Sequence, residues 1–203
     1  MKLYFSPGAC SLASHIVLRE LGLPFDIEKI NNKTKVTASG ADFWKINPKG
    51  YVPVLQMDDG SVLTEGQVIM QYLADKKPEA NLVPANGTMA RYRLQEWLGF
   101  INSELHKSYS PLFSADTPEQ TKQGSIEKIG KRLDFIESNL AGKEFLMGNS
   151  FTIADAYLYV VVNWSQFVGI NLDKWPLVKG LHARVGARAS VQAAHNAEKN
   201  AAG

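Results

Sequence analysis

Asn47-Pro48-Lys49-Gly50-Tyr51-Val52-Pro53-Val54-Leu55-Gln56-Met57-Asp58-Asp59-Gly60-Ser61-Val62-Leu63-Thr64-Glu65-Gly66 decides how the first part of this chain folds. Two prolines and a glycine between Asn47 and Pro53 fix a loop. Val54–Met57 and Ser61–Thr64 flank an Asp-Gly turn and read as a β-hairpin. A helix is predicted from Glu65 to Lys76, with Val68, Ile69, Tyr72 and Leu73 forming one apolar stripe. Upstream, Leu3-Tyr4-Phe5 is a short strand ended by Pro7-Gly8. Ser11 to Leu21 reads as a helix stopped by Gly22 and Pro24. Phe25 to Lys29 is a second strand, Asn31 to Gly40 a polar loop, and Ala41 to Ile46 a short helical turn. The predicted order is β-α-β-(α)-β-β-α, an α/β domain over residues 1–77.

Residues 78–88 read as a linker, and residues 89–203 as an all-helical domain. Leu94, Trp97, Leu98, Ile101 and Leu105 mark one amphipathic helix, and Ile126, Ile129, Leu133, Ile136 and Leu140 a second. Phe151-Thr152-Ile153-Ala154-Asp155 opens a third. Trp175-Pro176 to Ala189 gives a fourth, whose proline suits a first turn. The Ala/Asn-rich stretch from Ala193 to Gly203 is expected to add one helical turn and then fray.

The 203 residues are 45% hydrophobic and 21% charged, which excludes a disordered chain. A net charge of +2 argues against binding a phosphate backbone, so no nucleic-acid partner is expected. The single cysteine, Cys10, cannot build a disulfide framework, and the four histidines lack metal-ligand spacing, so no metal site is expected. Ser6-Pro7-Gly8 interrupts any signal-like apolar core, and the uncharged run Ala156–Leu172 is short and polar for a membrane span. The expectation is a cytoplasmic protein without a membrane segment.

Cys10 stands directly before a predicted helix. The unpaired N–H groups and partial positive charge there favour a thiolate, although a small residue at a turn has the same pattern. The Val52-Pro53 bond enters a strand; if cis, it would turn the Val52 N–H and C=O outward to pair with an extended peptide, and if trans it is an ordinary loop proline. At Thr64-Glu65-Gly66 the Gly66 N–H can hold a carboxylate and Glu65 an ammonium group, which suits the zwitterionic end of an amino acid. Alternatively, Thr64 is an N-cap and Glu65 complements the helix dipole. Thr152 and Asp155 match a capping box, so both read as structural residues. Ser103 and His106, three apart on a helix, are expected to share a face.

The opening Lys2-Leu3-Tyr4-Phe5-Ser6-Pro7-Gly8-Ala9-Cys10-Ser11-Leu12-Ala13-Ser14-His15 resembles a bacterial beta-class glutathione transferase. So do Asn47-Pro48-Lys49-Gly50-x-Val52-Pro53, Leu63-Thr64-Glu65-Gly66, Glu104-Leu105-His106-Lys107 and Phe151-Thr152-Ile153-Ala154-Asp155-Ala156-Tyr157-Leu158. A serine or tyrosine class would not place Pro-Gly-Ala-Cys at this point. The resemblance implies a thioredoxin-like N-terminal domain, a helical C-terminal domain carrying the acceptor site, and a cytosolic homodimer using glutathione as co-substrate. It implies that Cys10 contacts the glutathione sulfur and can form a mixed disulfide with it. Lys35 would reach the glycyl carboxylate, Val52 before a cis Pro53 the cysteinyl backbone, and Glu65 and Gly66 the γ-glutamyl end. Ser103 and Glu104 would approach that end from the partner subunit, and His106 would lie near the sulfur and the second substrate. Ser11 is a further candidate donor to a thiolate. Gly99 departs from the pattern, since class members often carry Asn there; it contributes no side chain to glutathione and costs the helix about 1 kcal/mol relative to Ala.

The implied activity is conjugation of the glutathione thiol to hydrophobic electrophiles, a detoxification chemistry, with thiol–disulfide exchange through Cys10. The rival readings are a non-catalytic interaction protein on the same fold and a glutathione-dependent dehalogenase or isomerase. Retention of Cys10, Val52-Pro53, Glu65-Gly66 and His106 together favours the enzyme. Tyr92, Trp97 and Phe100 supply more apolar surface than one helix stripe needs, a second pointer to a dimer.

Overall fold

The computed structural model describes residues 1–201, so Ala202 and Gly203 of the expected frayed tail lie outside the described residues. The chain forms two compact units: Met1–Val83 together with the segment from Ala187 onward, and Pro84–Gly186. Residues 89–203 read as one helical domain by sequence, but the last helix of that stretch belongs to the first unit.

In the first unit, strands β1 (Lys2–Phe5), β2 (Asp26–Lys29), β3 (Val54–Gln56) and β4 (Val62–Thr64) form one sheet in the order β2-β1-β3-β4. β1 is parallel to β2 and antiparallel to β3, and β3 pairs antiparallel with β4 as the hairpin reading requires. Helix α1 (Ser11–Glu20) supplies the parallel crossover, and a short α2 (Phe43–Ile46) and α3 (Gly66–Asp75) complete the expected order. The two-residue period of β1 sends Leu3 and Phe5 to the face opposite Tyr4. Tyr4 packs with Ile30, Phe43 and Val54, and its ring centroid lies 5.9 Å from that of Phe43. The buried stripe of α3 is Ile69, Met70, Leu73 and Ala74 rather than the expected Val68, Ile69, Tyr72 and Leu73; Val68 is exposed, and Tyr72 carries the Lys76 ammonium over its ring. A rotation of the apolar face by one position along an otherwise apolar helix is invisible to periodicity and is fixed by α1, which packs against it.

The tail is a full helix, α9 (Ala189–Asn200), not a single turn. Val191, Ala194 and Glu198, at spacings of three and four, form its buried stripe, and α1 is the element it packs against.

The second unit is built on α7 (Ile153–Asn163), buried on all sides from Ile153 to Val162. Against it pack α4 (Met89–Phe100) and α8 (Pro176–Gly186), and the long α6 (Glu119–Leu140) packs on α8 and on the single turn α5 (Lys107–Tyr109). Leu94, Leu98, Ile101 and Leu105 are buried as the periodicity predicts, as are Ile129, Leu133, Ile136 and Leu140; Trp97 and Ile126 stand at the margins of their stripes. The chain between α4 and α5, Ile101–His106, is wound as a π-helix.

The capping box at the start of α7 closes: Asp155 Oδ2 accepts the Thr152 N–H at 2.8 Å and the Thr152 hydroxyl at 2.9 Å. Its other oxygen accepts the Leu146 N–H at 2.8 Å, so one buried carboxylate joins the helix start to the preceding turn. Burial pushes the Asp155 carboxyl up to about 6 against these donors.

Candidate active site

In the first unit the loop Ser6–Cys10 ends in Cys10, which occupies the N-cap position of α1. The Cys10 thiol donates to the Val52 carbonyl at 3.3 Å. Val52-Pro53 is cis, so the X-Pro alternative resolves to the cis form, with the Val52 carbonyl engaged by the Cys10 thiol. Behind it lies the start of α3: a methyl group added at Gly66 would sit 3.3 Å from Pro53 Cγ and 3.9 Å from Ser14 Oγ. Gly66 is thus the residue that lets a helix N-terminus approach the cis proline. Cys10, Val52, Pro53 and Gly66 form one floor in which a thiol, a strand-like backbone edge and the N–H groups of a helix start are adjacent.

Glu65, not Thr64, caps α3, with φ at +69°. Its carboxylate accepts Lys49 Nζ at 2.7 Å, and the same ammonium donates to Thr64 Oγ1 at 3.0 Å. The ammonium partner foreseen for Glu65 therefore already exists within the chain, on the Pro48-Lys49-Gly50 loop. Lys35, also at positive φ (56°), donates from Nζ to the Gly50 carbonyl at 2.8 Å, and its ammonium lies 5.9 Å from the centre of the Trp44 ring. Trp44 in turn requires Gly50, since a Cβ there would lie 2.5 Å from its ring.

Ser11 corrects the sequence reading. Its buried hydroxyl accepts the Ser6 N–H at 3.2 Å and donates to the Ser6 carbonyl at 3.3 Å. It closes the β1–α1 loop, and its only proton is engaged there rather than at a thiolate.

The same loop is held by residues that single-sequence reasoning missed. Glu198 of α9 accepts the Gly8 N–H at 3.1 Å and, through its other oxygen, His15 Nδ1 at 3.0 Å. Arg19 Nε donates to His15 Nε2 at 3.0 Å. A carboxylate only accepts and a guanidinium only donates, so His15 carries its proton on Nδ1. The i, i+4 spacing of His15 and Arg19 is legible in the sequence; their partner 183 residues downstream of His15 is not.

In the second unit the π-helix changes the faces expected for Ser103 and His106. Ser103 is exposed and donates to the Gly99 carbonyl at 2.9 Å, whereas His106 turns inward, with Nδ1 2.7 Å from the Tyr157 hydroxyl. The wider turn breaks the i, i+3 relation that an α-helix would give. Glu104 accepts Arg132 Nη2 at 2.7 Å, and the Arg132 guanidinium holds its carboxyl below the usual carboxylate range. Burial pushes the His106 imidazole down to about 4, with Lys107 acting in the same direction. A Cβ at Gly99 would meet nothing within 4 Å, so packing does not require glycine there. Trp97, Phe100 and the half-exposed Phe135 form an aromatic cluster with centroid separations of 5.0–5.9 Å beside a cavity of about 590 Å³.

Among the described residues no group of three His, Cys, Asp or Glu could hold a metal, and no helix is long and apolar enough to cross a membrane.

Comparison with known proteins places these features in context. Residues 8–76 match the glutathione S-transferase N-terminal domain and residues 100–189 the glutathione S-transferase C-terminal domain. The chain is 43% identical to glutathione S-transferase GstA of Escherichia coli O157:H7, over 98% of each protein. A sphingomonad glutathione S-transferase solved in complex with glutathione has a TM-score of 0.95 at 42% identity, covering 98% of this chain and 99% of that one. The bacterial beta-class enzyme of Sphingomonas chungbukensis has a TM-score of 0.94 at 42% identity, covering 98% of each chain.

Proposed function

The chain belongs to the glutathione S-transferase family, in its bacterial beta class, and we propose that it conjugates the thiol of glutathione to hydrophobic electrophiles. The fold is the thioredoxin-like domain plus helical domain of that family, the protein is a transferase, and glutathione is its co-substrate. The observation that carries the reading is the floor of the first unit, where Cys10, the Val52 backbone before the cis proline and the Gly66 helix start adjoin. A tripeptide with a central cysteine matches it group by group. Its extended backbone pairs with Val52, its γ-glutamyl carboxylate meets the N–H groups at Gly66, and its ammonium group is taken by Glu65. Lys35 is assigned to the glycyl carboxylate. Ser103 and Glu104 are assigned to the γ-glutamyl end across a homodimer, and His106 to the reacting centre.

Thiol–disulfide exchange belongs to the same reading. The Cys10 thiolate attacks the glutathione sulfur of a mixed disulfide, releasing the other thiolate and leaving glutathione disulfide-bonded to Cys10. A second glutathione thiolate then displaces Cys10 and departs as glutathione disulfide. The Cys10 hydrogen bond to Val52 breaks when its sulfur reacts. A cytoplasmic location and a role in detoxification complete the proposal.

Retention on immobilised glutathione, followed by turnover of a panel of aryl halides, epoxides and activated alkenes, tests the reading. Retention with glutathione-dependent loss of at least one electrophile is the expected result. A folded protein that is neither retained nor active would favour the interaction-protein alternative. Release of halide or isomerisation without a conjugate would favour the other.

A further inference from the structure

The π-helix Ile101–His106 brings two of its side chains to one hydroxyl. The Tyr157 hydroxyl of α7 lies 3.0 Å from Asn102 Oδ1 and 2.7 Å from His106 Nδ1. It has one proton to give. An amide oxygen accepts and cannot donate, so that proton points to Asn102. At His106 the tyrosine oxygen is then the acceptor, and Nδ1 must carry the imidazole proton. The ring is neutral near pH 7, because burial disfavours its cation, so Nε2 is bare. Trp164 packs against the imidazole at 4.7 Å between centroids and Tyr157 meets it edge-on at 5.9 Å, so aromatic rings help hold it in place. No other hydrogen bond is made by His106 among the described residues, which leaves Nε2 as the nitrogen available to a ligand.

We propose that Asn102 and Tyr157 are positioning residues that hold His106 in its Nδ1–H form, making Nε2 an acceptor for the thiol proton of glutathione. This rests on the assignment of His106 to glutathione chemistry made above. In the step assigned to it, the S–H bond of glutathione breaks, its electron pair stays on sulfur, and the proton passes to Nε2 and then to solvent. In the opposite tautomer Nε2–H could only donate, and this step would be closed to it. The side chain that chooses between the two is Asn102, which touches neither sulfur nor electrophile in the proposal.

The test reads the tautomer and the chemistry separately. Two-bond proton–nitrogen spectra of the full-length wild type at neutral pH, with His106 assigned by its loss in His106→Gln, should show protonated Nδ1 and bare Nε2. In Asn102→Leu the Tyr157 proton loses its acceptor and turns to Nδ1, so the imidazole proton should move to Nε2. The kcat for conjugation should then fall by about a hundredfold, the low end of general acid–base effects, with KM for glutathione unchanged. Asn102→Asp, which can only accept when ionised, should keep the wild-type tautomer and restore kcat. If Asn102→Leu does not fold, Tyr157→Phe serves, and a mixture of the two tautomers is expected. The proposal is overturned by Nε2–H in the wild type, by an unchanged tautomer in Asn102→Leu or Tyr157→Phe, or by an inverted tautomer with unaltered kcat. A wild type with the expected tautomer but no conjugation of any electrophile would instead remove the glutathione reading.

Discussion

The carboxylate of Glu198 accepts the backbone N–H of Gly8 at 3.1 Å, tying the last helix to the loop that ends in Cys10 across 190 residues of chain. Its other oxygen holds the fully buried His15. Glu198→Ala would leave the His15 Nδ1–H buried without its acceptor, at a cost of about 1–3 kcal/mol. It would also remove this hydrogen bond to Gly8, two residues from the thiol. The expected outcome is a lower urea midpoint together with weaker glutathione binding. Loss of stability with unchanged affinity would show that the loop keeps its conformation without this tie.

Glu65, which the proposed function assigns to the γ-glutamyl end, has an unfavourable backbone, since its φ of +69° is one that glycine adopts freely and other residues do not. Glu65→Gly should raise stability by about 1 kcal/mol through relief of that strain, offset in small part by loss of the exposed Lys49 pair. Glutathione affinity should fall in the same protein. Thermal unfolding and glutathione titration on one preparation check both signs. Unchanged affinity would remove Glu65 from the site.

Cys10→Ala should abolish thiol–disulfide exchange, because the chain has no second cysteine. Conjugation uses the sulfur of glutathione, which the N–H groups at the start of α1 can still stabilise, so it should fall only in part. Both activities measured on the same variant decide the point, and complete loss of conjugation with binding intact would contradict this division. Ser11 cannot compensate, since its hydroxyl proton is engaged by Ser6.

Two buried groups should oppose one another as acid is added. Asp155 titrates near 6 in the folded chain, above its ordinary 3.8. Its folded form binds the proton more tightly, so this contribution is full below pH about 4 and is lost as pH rises through 6, by on the order of 2–3 kcal/mol. His106 titrates near 4 instead of 6.5. Its unfolded form binds the proton more tightly, so this contribution is full above pH about 6.5 and is lost as pH falls through 4, by a similar order. Wild-type stability should therefore change little between pH 4 and 6 on account of this pair. Asp155→Asn should gain relative to wild type as pH rises across that window, and His106→Gln should gain as it falls. Denaturant unfolding at several pH values reads both slopes. Parallel curves for wild type and Asp155→Asn would mean that its three donors outweigh burial.

Phe135 is half-exposed beside Trp97 and Phe100, and Tyr92 is exposed on the same helix as the last two, an apolar area larger than a solvated helix face needs. Light scattering is expected to give the mass of a dimer, and Trp97→Glu should shift it toward the monomer. A monomer mass at all concentrations would also take Ser103 and Glu104 out of the glutathione site.

The sequence alone determined what neighbours along the chain can determine. The hairpin at Val54–Thr64, the stop at Gly22, the capping box at Thr152 and Asp155, and the element order through α3 follow from turn chemistry and from periods of two and 3.6, which act over a few residues. Composition hid the extent of α9, because Ala and Asn carry little periodic signal and its stripe of Val191, Ala194 and Glu198 is recognisable only against α1. The apolar steps from Leu94 to Leu105 are equally consistent with an uninterrupted α-helix, so the π-helix and the partners it gives His106 were not readable. Cys10 could be singled out by its place before a helix. Its contact with Val52 and the tie from Glu198 to Gly8 join residues 42 and 190 positions apart. Such contacts depend on where whole elements pack, and the partners carry no mark of one another in the local pattern. Tertiary structure alone decided them, and it is they that turn a lone cysteine and a buried histidine into groups with defined hydrogen-bond partners.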